Sequence, residues 1–236
     1  MTNSTFTVMI SPLCTKGTRI ASFRFIKNVI LIVALTLGIV VNAQEQGKIT
    51  LSGTGFAISE NLIVTNHHVV NGAEIIYVRG INGDLGKRVK CKVLSSSEFY
   101  DIAILEITDV NEKISNIPYG IDTIYNVGED IYIIGFPRLF FYTDDVQQTF
   151  SRRSLSAGTG YDNFKNNGII PDETRFVFDA SIQNGNSGSP IFNKFGDIIG
   201  VATMGSISNV SSVIQNFNTG VKINTLRSIF DSLGKK

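Results

Sequence analysis

Ser187 lies in N-G-N-S-G-S-P (184–190), with Gly185 two residues before it and Gly188 directly after. A turn that only reverses the chain needs one glycine for a positive φ. Two of them around Asn186-Ser187 leave room for another molecule's backbone to come close to the serine. The chemistry this suggests is nucleophilic attack. A serine hydroxyl is a weak nucleophile at neutral pH until a base takes its proton, and histidine, which ordinarily titrates near 6.5, suits that task. The chain has two histidines, His67 and His68, adjacent in T-N-H-H-V-V (65–70). A zinc site there is disfavoured, because neighbours on an extended chain point opposite ways and no cysteine or third histidine completes a ligand set. The reading calls for no metal and no other cofactor. A base in turn needs a carboxylate on its second ring nitrogen to hold the tautomer and stabilise the imidazolium. Asp101 opens the apolar run D-I-A-I-L and so stands at a strand end, where a carboxylate can point into a cleft; Asp84 and Asp130 are the alternatives.

These residues are far apart in the chain, so the elements between them must fold them together. Short β-type runs follow one another at Ile49–Leu51, Gly55–Ser59, Leu62–Thr65, Glu74–Arg79, Arg88–Leu94 and Ile102–Ile107. A second set runs through Asp130–Gly135, Val146–Ser156, Arg175–Ile182, Pro190–Asn193, Ile198–Met204 and Val213–Ile223. Many short strands at this spacing predict an all-β protein, and two sets of about six predict two packed six-stranded antiparallel barrels. Gly80–Gly86 and Ser95–Glu98 read as hairpin loops, Leu139–Asp145 and Thr159–Asp172 as long loops, and Val110–Asn126 as the linker. Asn71-Gly72 closes a single helical turn after Val70. Leu226, Ile229, Phe230 and Leu233 recur at i, i+3, i+4 and i+7 behind an Asn/Thr cap, which predicts an amphipathic C-terminal helix.

The N-terminal segment has a different character. Residues 29–41 are an apolar run preceded by Lys16, Arg19, Arg24 and Lys27 and followed by Asn42-Ala43-Gln44. Thirteen residues at 1.5 Å each reach about 20 Å, short of the roughly 30 Å hydrocarbon core, so an export signal cut before Gln44 fits better than a retained anchor. Met9 is an alternative start. The expected organisation is a leader over 1–43, an N-terminal barrel over 44–120 carrying histidine and aspartate, and a C-terminal barrel over 121–236 carrying serine and the helix. The mature chain is then periplasmic or extracellular and soluble, or membrane-anchored and outward-facing if the leader stays. Removing the four leader cations takes the net charge from +1 to −3. A nearly neutral chain without a basic run offers no electrostatic footprint for nucleic acid. Cys91 is the one cysteine past the leader, and the alternation R-V-K-C-K-V puts it on a core-facing strand side.

The segments G-T-G-F-A-I-S (53–59), T-N-H-H-V-V, D-I-A-I-L and G-N-S-G-S-P together resemble, in order and spacing, the trypsin-like serine endopeptidases of chymotrypsin fold. The resemblance is nearest to the HtrA-type proteases and the bacterial glutamyl endopeptidases, and it runs from about residue 50 to 233. It implies His68 as base, since the family's histidine precedes Val-Val, with Asp101 as its orienter and Ser187 as nucleophile. It also implies an oxyanion hole made by the N–H groups of Gly185 and Ser187, and polypeptide substrates cut through an acyl-enzyme. The alternatives are a trypsin-fold binding protein without catalysis and an α/β-hydrolase esterase; the latter expects G-x-S-x-G on a strand-helix elbow, which is absent here.

The departures from the family matter as well. Asn186 stands where digestive trypsin-like enzymes carry the aspartate that pairs with a freshly cut N-terminus, so that mode of activation is not expected. Nothing past the terminal helix suggests the PDZ domain that HtrA proteins usually carry. Ile182 and Ala202 match positions where glutamyl endopeptidases hold a substrate carboxylate with threonine and histidine. With Ser181 at the pocket base and Gly205 and Gly220 on its walls, the resemblance implies a neutral, mainly apolar specificity pocket. The segment Thr203-Met204-Gly205 is expected to pair with substrate backbone as an edge strand.

Overall fold

A computed structural model describes residues 5–10, 50–115, 123–137, 148–162, 170–179, 185–203 and 217–233. The first set of elements is β1 (Thr5–Ile10), β2 (Thr50–Ala57), β3 (Leu62–Thr65), α1 (His67–Val70), β4 (Ile75–Arg79), β5 (Val89–Ser97) and β6 (Ile102–Ile107). Its strands close into a barrel in the order β1-β2-β3-β6-β5-β4. The second set is β7 (Asp130–Gly135), β8 (Thr149–Ala157), β9 (Gly160–Asp162), β10 (Ile170–Asp172), β11 (Arg175–Asp179), β12 (Pro190–Asn193), β13 (Ile198–Thr203), β14 (Phe217–Lys222) and α2 (Ile223–Leu233). Here the closed order is β11-β14-β13-β12-β7-β8, with β9 and β10 as a separate two-stranded sheet. The seam between β11 and β8 is short and irregular, with two paired positions and a bulge.

Strand β6 shows how the apolar pattern builds the two-barrel body. All its residues except Glu106 are buried. Ala103, Leu105 and Ile107 face the first barrel's interior with Ile63, Val78 and Cys91. Ile102 and Ile104 face the other way, into a cluster that joins Phe56 and Val64 to Ile134, Phe192, Val201 and the α2 residues Leu226 and Ile229. A strand buried on both faces reads as an unbroken apolar run instead of an alternating one. Each such side chain contributes about 1.5–3 kcal/mol of burial free energy, so the inter-barrel cluster locks the two halves together. A third cluster, including Ile131, Phe176, Phe178, Ile191 and Ala202, fills the second barrel.

Several elements differ from the sequence expectation. Where two runs are expected, at Ile49–Leu51 and Gly55–Ser59, one strand, β2, runs unbroken over Thr50–Ala57, because Gly53 permits close approach and does not turn the chain: a Cβ there would sit 2.5 Å from a Val69 methyl. The serines expected in a hairpin loop extend β5 instead, with Ser95, Ser96 and Ser97 opposite Ile104, Ala103 and Ile102 past a bulge. Ladder pairing with β6 overrides their weak strand propensity. Within the expected loop Thr159–Asp172, Gly160–Asp162 pairs with Ile170–Asp172. The expected linker is shorter, since Ile114 is buried with the first barrel's core and its N–H donates to Glu60 O at 2.8 Å. The loop 139–145 and the apolar run 29–41 lie outside the described residues.

Both barrels are antiparallel except at β1, which lies within the segment read as a leader. It pairs parallel with β2 and with β4. A parallel neighbour requires a long crossover, which residues 11–49 are long enough to supply. Among the described residues no helix is long and apolar enough to cross a membrane.

Candidate active site

The first barrel presents its histidines on α1, a single turn whose N-cap is Asn66. Successive helical residues diverge by about 100°, so the two rings cannot share a partner. The His68 ring faces Asp101, with Nδ1 at 2.8 Å from Oδ2 and 3.0 Å from Oδ1. The His67 ring turns instead to Ser96 Oγ on β5. An ionised carboxylate only accepts, so His68 Nδ1 carries the hydrogen, and in the neutral ring Nε2 is left with a free lone pair. That is the tautomer a base needs. His68 is 42% exposed while Asp101 is 17% exposed, so the ring is open to a substrate and its partner is shielded.

Asp101 reaches the ring from a strained position. Its φ is 56°, in the left-handed region that aspartate tolerates better than most residues. The surroundings hold it there: its N–H donates to Glu98 O at 3.2 Å, and Asn66 Nδ2 donates to its carbonyl at 2.8 Å. Its carboxylate also accepts the His68 backbone N–H at 3.0 Å and the Thr203 hydroxyl at 2.5 Å. Burial pushes the carboxyl up, but the hydrogen bond and charge of the His68 ring, the Thr203 hydroxyl and the His68 N–H outweigh it. The net result is a carboxyl held below the usual aspartate value. Sequence reading missed both Asn66 and the hydroxyl contact of Thr203, whose side chain it assigned no role; their partners are 35 and 102 residues away.

The second barrel presents Ser187 in a tight turn ahead of β12. Gly185 and Gly188 have φ of 100° and 87°, which favours glycine at both positions. Gly188 is also crowded: a Cβ there would lie 2.0 Å from Thr54 O and 2.5 Å from Thr65 Oγ1. Ser189 N–H closes the turn onto Asn186 O at 3.0 Å. Gly188 N–H and Ser189 O pair with the two backbone groups of Ala202 at 2.8 Å each, next to Thr203. The serine turn is therefore one residue of β13 away from the hydroxyl that holds Asp101. From the first barrel, Thr54 N–H donates to Ser187 O at 2.8 Å. Among the described residues, no acceptor takes the N–H of Gly185 or of Ser187. The arrangement holds a base against its orienter; among the described residues no hydrogen bond joins His68 to Ser187, and the turn of the buried Ser187 offers two N–H donors that no described residue accepts.

The alternative carboxylates lie elsewhere in the fold. Asp84 accepts the N–H groups of Gly86 and Lys87 in a turn, and Asp130 pairs with Arg152 on the outside of the second barrel. Of the residues expected in the specificity pocket, Ser181, Ile182, Met204 and Gly205 lie outside the described residues. Ala202 is fully buried in the second barrel's core. Gly220 pairs opposite Ala202, and the space a side chain would take there is occupied by Phe176 and Ile191, at 2.7 and 2.8 Å from a Cβ. Glycine at 220 thus serves barrel packing. Among the described residues, Asn186 Oδ1 and Ser189 Oγ are buried without a hydrogen-bond partner, and both crowd Gly135, where a Cβ would sit 2.6 and 2.2 Å from them.

The sequence and the fold have counterparts in known proteins. A family model described as a trypsin-like peptidase domain matches residues 53–201, more than half of the chain. A Brucella suis protein named probable periplasmic serine endoprotease DegP-like is 29% identical over 187 residues, covering 78% of this chain and 33% of the relative. Serine endoprotease DegS of Haemophilus influenzae is 24% identical over 192 residues, covering 80% of this chain and 52% of the relative. The chain thus spans about a third to a half of the length of these curated relatives. The crystal structure of a serine endoprotease from Yersinia pestis superposes with a TM-score of 0.57 at 25% identity, over 77% of this chain and 57% of that one.

Proposed function

The chain belongs to the trypsin-like peptidase domain family, and from that premise we propose that it is a serine endopeptidase working through Ser187, His68 and Asp101. Ser187 Oγ attacks the scissile carbonyl carbon while His68 Nε2 takes its proton. The N–H groups of Gly185 and Ser187 receive the oxyanion, each donor typically worth about 3–4 kcal/mol in the transition state. His68 then gives the proton to the leaving amine as the C–N bond breaks, and water repeats the sequence on the acyl-enzyme. Asp101 stays ionised and holds the ring. The observation that carries this reading is the Asp101 carboxylate, which receives the His68 ring and backbone from one barrel and the Thr203 hydroxyl from the other.

The substrates proposed are polypeptides, entered at a neutral, apolar pocket. Ala202 and Gly220 are taken up by the second barrel's core, so the pocket's neutral character is proposed from Ser181, Ile182, Met204 and Gly205, none of which carries a charge. We also propose export, from the basic and apolar pattern of residues 16–41; the Brucella suis relative carries periplasmic in its name. Cleavage after Ala43 removes β1 and leaves β2 and β4 as facing edges. One experiment addresses catalysis and processing together: intact mass of the mature protein after reaction with a fluorophosphonate. The expected mass is that of residues 44–236 plus one label, located at Ser187. An unlabelled chain, under conditions where a control protease labels, would refute the catalytic reading. A mass that includes residues 1–43 would refute cleavage and keep β1 in the barrel. Digestion of a peptide library with dominant cleavage after glutamate would refute the neutral pocket.

A further inference from the structure

Thr54 lies on β2 of the first barrel and is fully buried, yet most of its polar atoms act on the second. Its N–H donates to Ser187 O at 2.8 Å. Its hydroxyl donates to Gly185 O at 2.7 Å and accepts the Phe136 N–H at 3.0 Å. Its own carbonyl is held by the Thr65 hydroxyl at 2.7 Å, at the end of the strand that leads to His68. Together with the bond from Ser189 N–H to Asn186 O, this engages three consecutive carbonyls, those of residues 185, 186 and 187. A peptide unit is planar, with its C=O and N–H pointing opposite ways, so fixing the Asn186 carbonyl aims the Ser187 N–H. Gly185 needs the restraint most, since a residue without a side chain at φ 100° has little else to stop its peptide from rotating.

We propose that Thr54 is a positioning residue for the oxyanion donors. Its hydroxyl fixes the Gly185–Asn186 peptide and its N–H fixes the Ser187–Gly188 peptide. These flank the Asn186–Ser187 peptide, whose N–H the Ser189 bond aims, and the first adjoins the Gly185 N–H, so the turn that carries both donors is set before substrate arrives. Preorganised donors stabilise developing charge because no dipole has to turn at the moment of reaction. A β-branched residue suits the role, because its stiff χ1 keeps the hydroxyl between one donor and one acceptor. This inference rests on the proposed reading of Gly185 and Ser187 as the oxyanion hole.

The test compares Thr54→Val, which keeps the shape without the hydroxyl, with Thr54→Ser, which keeps the hydroxyl. All proteins are the full chain, checked for folding by thermal unfolding and assayed on one peptide substrate. Thr54→Val is expected to lose about tenfold or more in kcat with KM changed by less than about threefold, the signature of an interaction made in the transition state. A peptide aldehyde, whose adduct carries the oxyanion, should weaken by a similar factor. The pH dependence should keep its shape, because Thr54 touches neither His68 nor Asp101. Thr54→Ser should recover most of the rate. A folded Thr54→Val with kcat within about twofold of wild type overturns the proposal. So does a Thr54→Val chain that fails to fold, which would make Thr54 a purely structural residue. A wild-type chain that takes no fluorophosphonate at Ser187 instead overturns the reading beneath, and this inference with it.

Discussion

Thr203 and Asp101 are 102 residues apart and belong to different barrels, yet the threonine hydroxyl donates to the aspartate carboxylate at 2.5 Å. Asp101 is thus held by groups from both barrels, and Thr203→Val would leave that oxygen with the His68 ring alone. Hydrogen bonds to charged groups are worth about 1.5–3 kcal/mol, so roughly a tenfold or larger fall in kcat/KM is expected, with Thr203→Ser close to wild type. Steady-state kinetics on the three proteins decide it, and an unaffected Thr203→Val would remove this contact from the mechanism.

The two histidines should behave differently although they are adjacent. His68→Ala and Ser187→Ala are each expected to reduce turnover to background while thermal unfolding stays near wild type. His67 touches Ser96 and not Asp101, so His67→Ala should keep most of the activity. If His67→Ala proved as damaging as the serine change and His68→Ala proved harmless, the assignment of the base would be wrong.

The lowered carboxyl of Asp101 has a defined sign in stability. A group whose pKa is lower folded than unfolded contributes stability that is present above its unfolded value, about 4 for aspartate, and lost as pH falls through the folded one. The stability difference between wild type and Asp101→Asn, from urea titrations, should therefore shrink steadily from about pH 5 downward. A difference that widened on acidification would contradict the direction of the shift.

Cys91 should be inert in the native chain. It is buried in the first barrel, and burial pushes its thiol up to about 12. Iodoacetamide at mildly alkaline pH is expected to leave the Cys91 peptide unmodified until denaturant is added, as read by mass spectrometry. Rapid native alkylation at Cys91 would show that the first barrel opens readily.

Much of the site was legible from residue types alone. Serine between glycines, adjacent histidines after an apolar strand and an aspartate opening another strand are local patterns, and local patterns survive in a linear text. Strands β3, β6, β7 and β12 have the bounds their apolar runs predict, because burial on a barrel wall is what those runs encode. Other features needed the folded molecule. The resemblance singles out His68 only by the Val-Val that follows it; the physical difference from His67 is a helical step of about 100° and the position of Asp101. The serines of β5 extend a strand only because β6 lies beside them with free ladder groups. Thr54 reads as one more residue in a glycine-rich segment until the second barrel brings the Gly185 and Ser187 carbonyls to it. By itself, then, the sequence determined the candidate reacting groups and most of the strands that carry them. The tertiary structure decided which nitrogen meets which carboxylate and which threonines hold them. Those contacts join residues about 30 to 130 positions apart: the pairing of β3 with β6 brings His68 to Asp101 within one barrel, and packing the second barrel against the first brings Thr54 and Thr203 within hydrogen-bonding range of their partners.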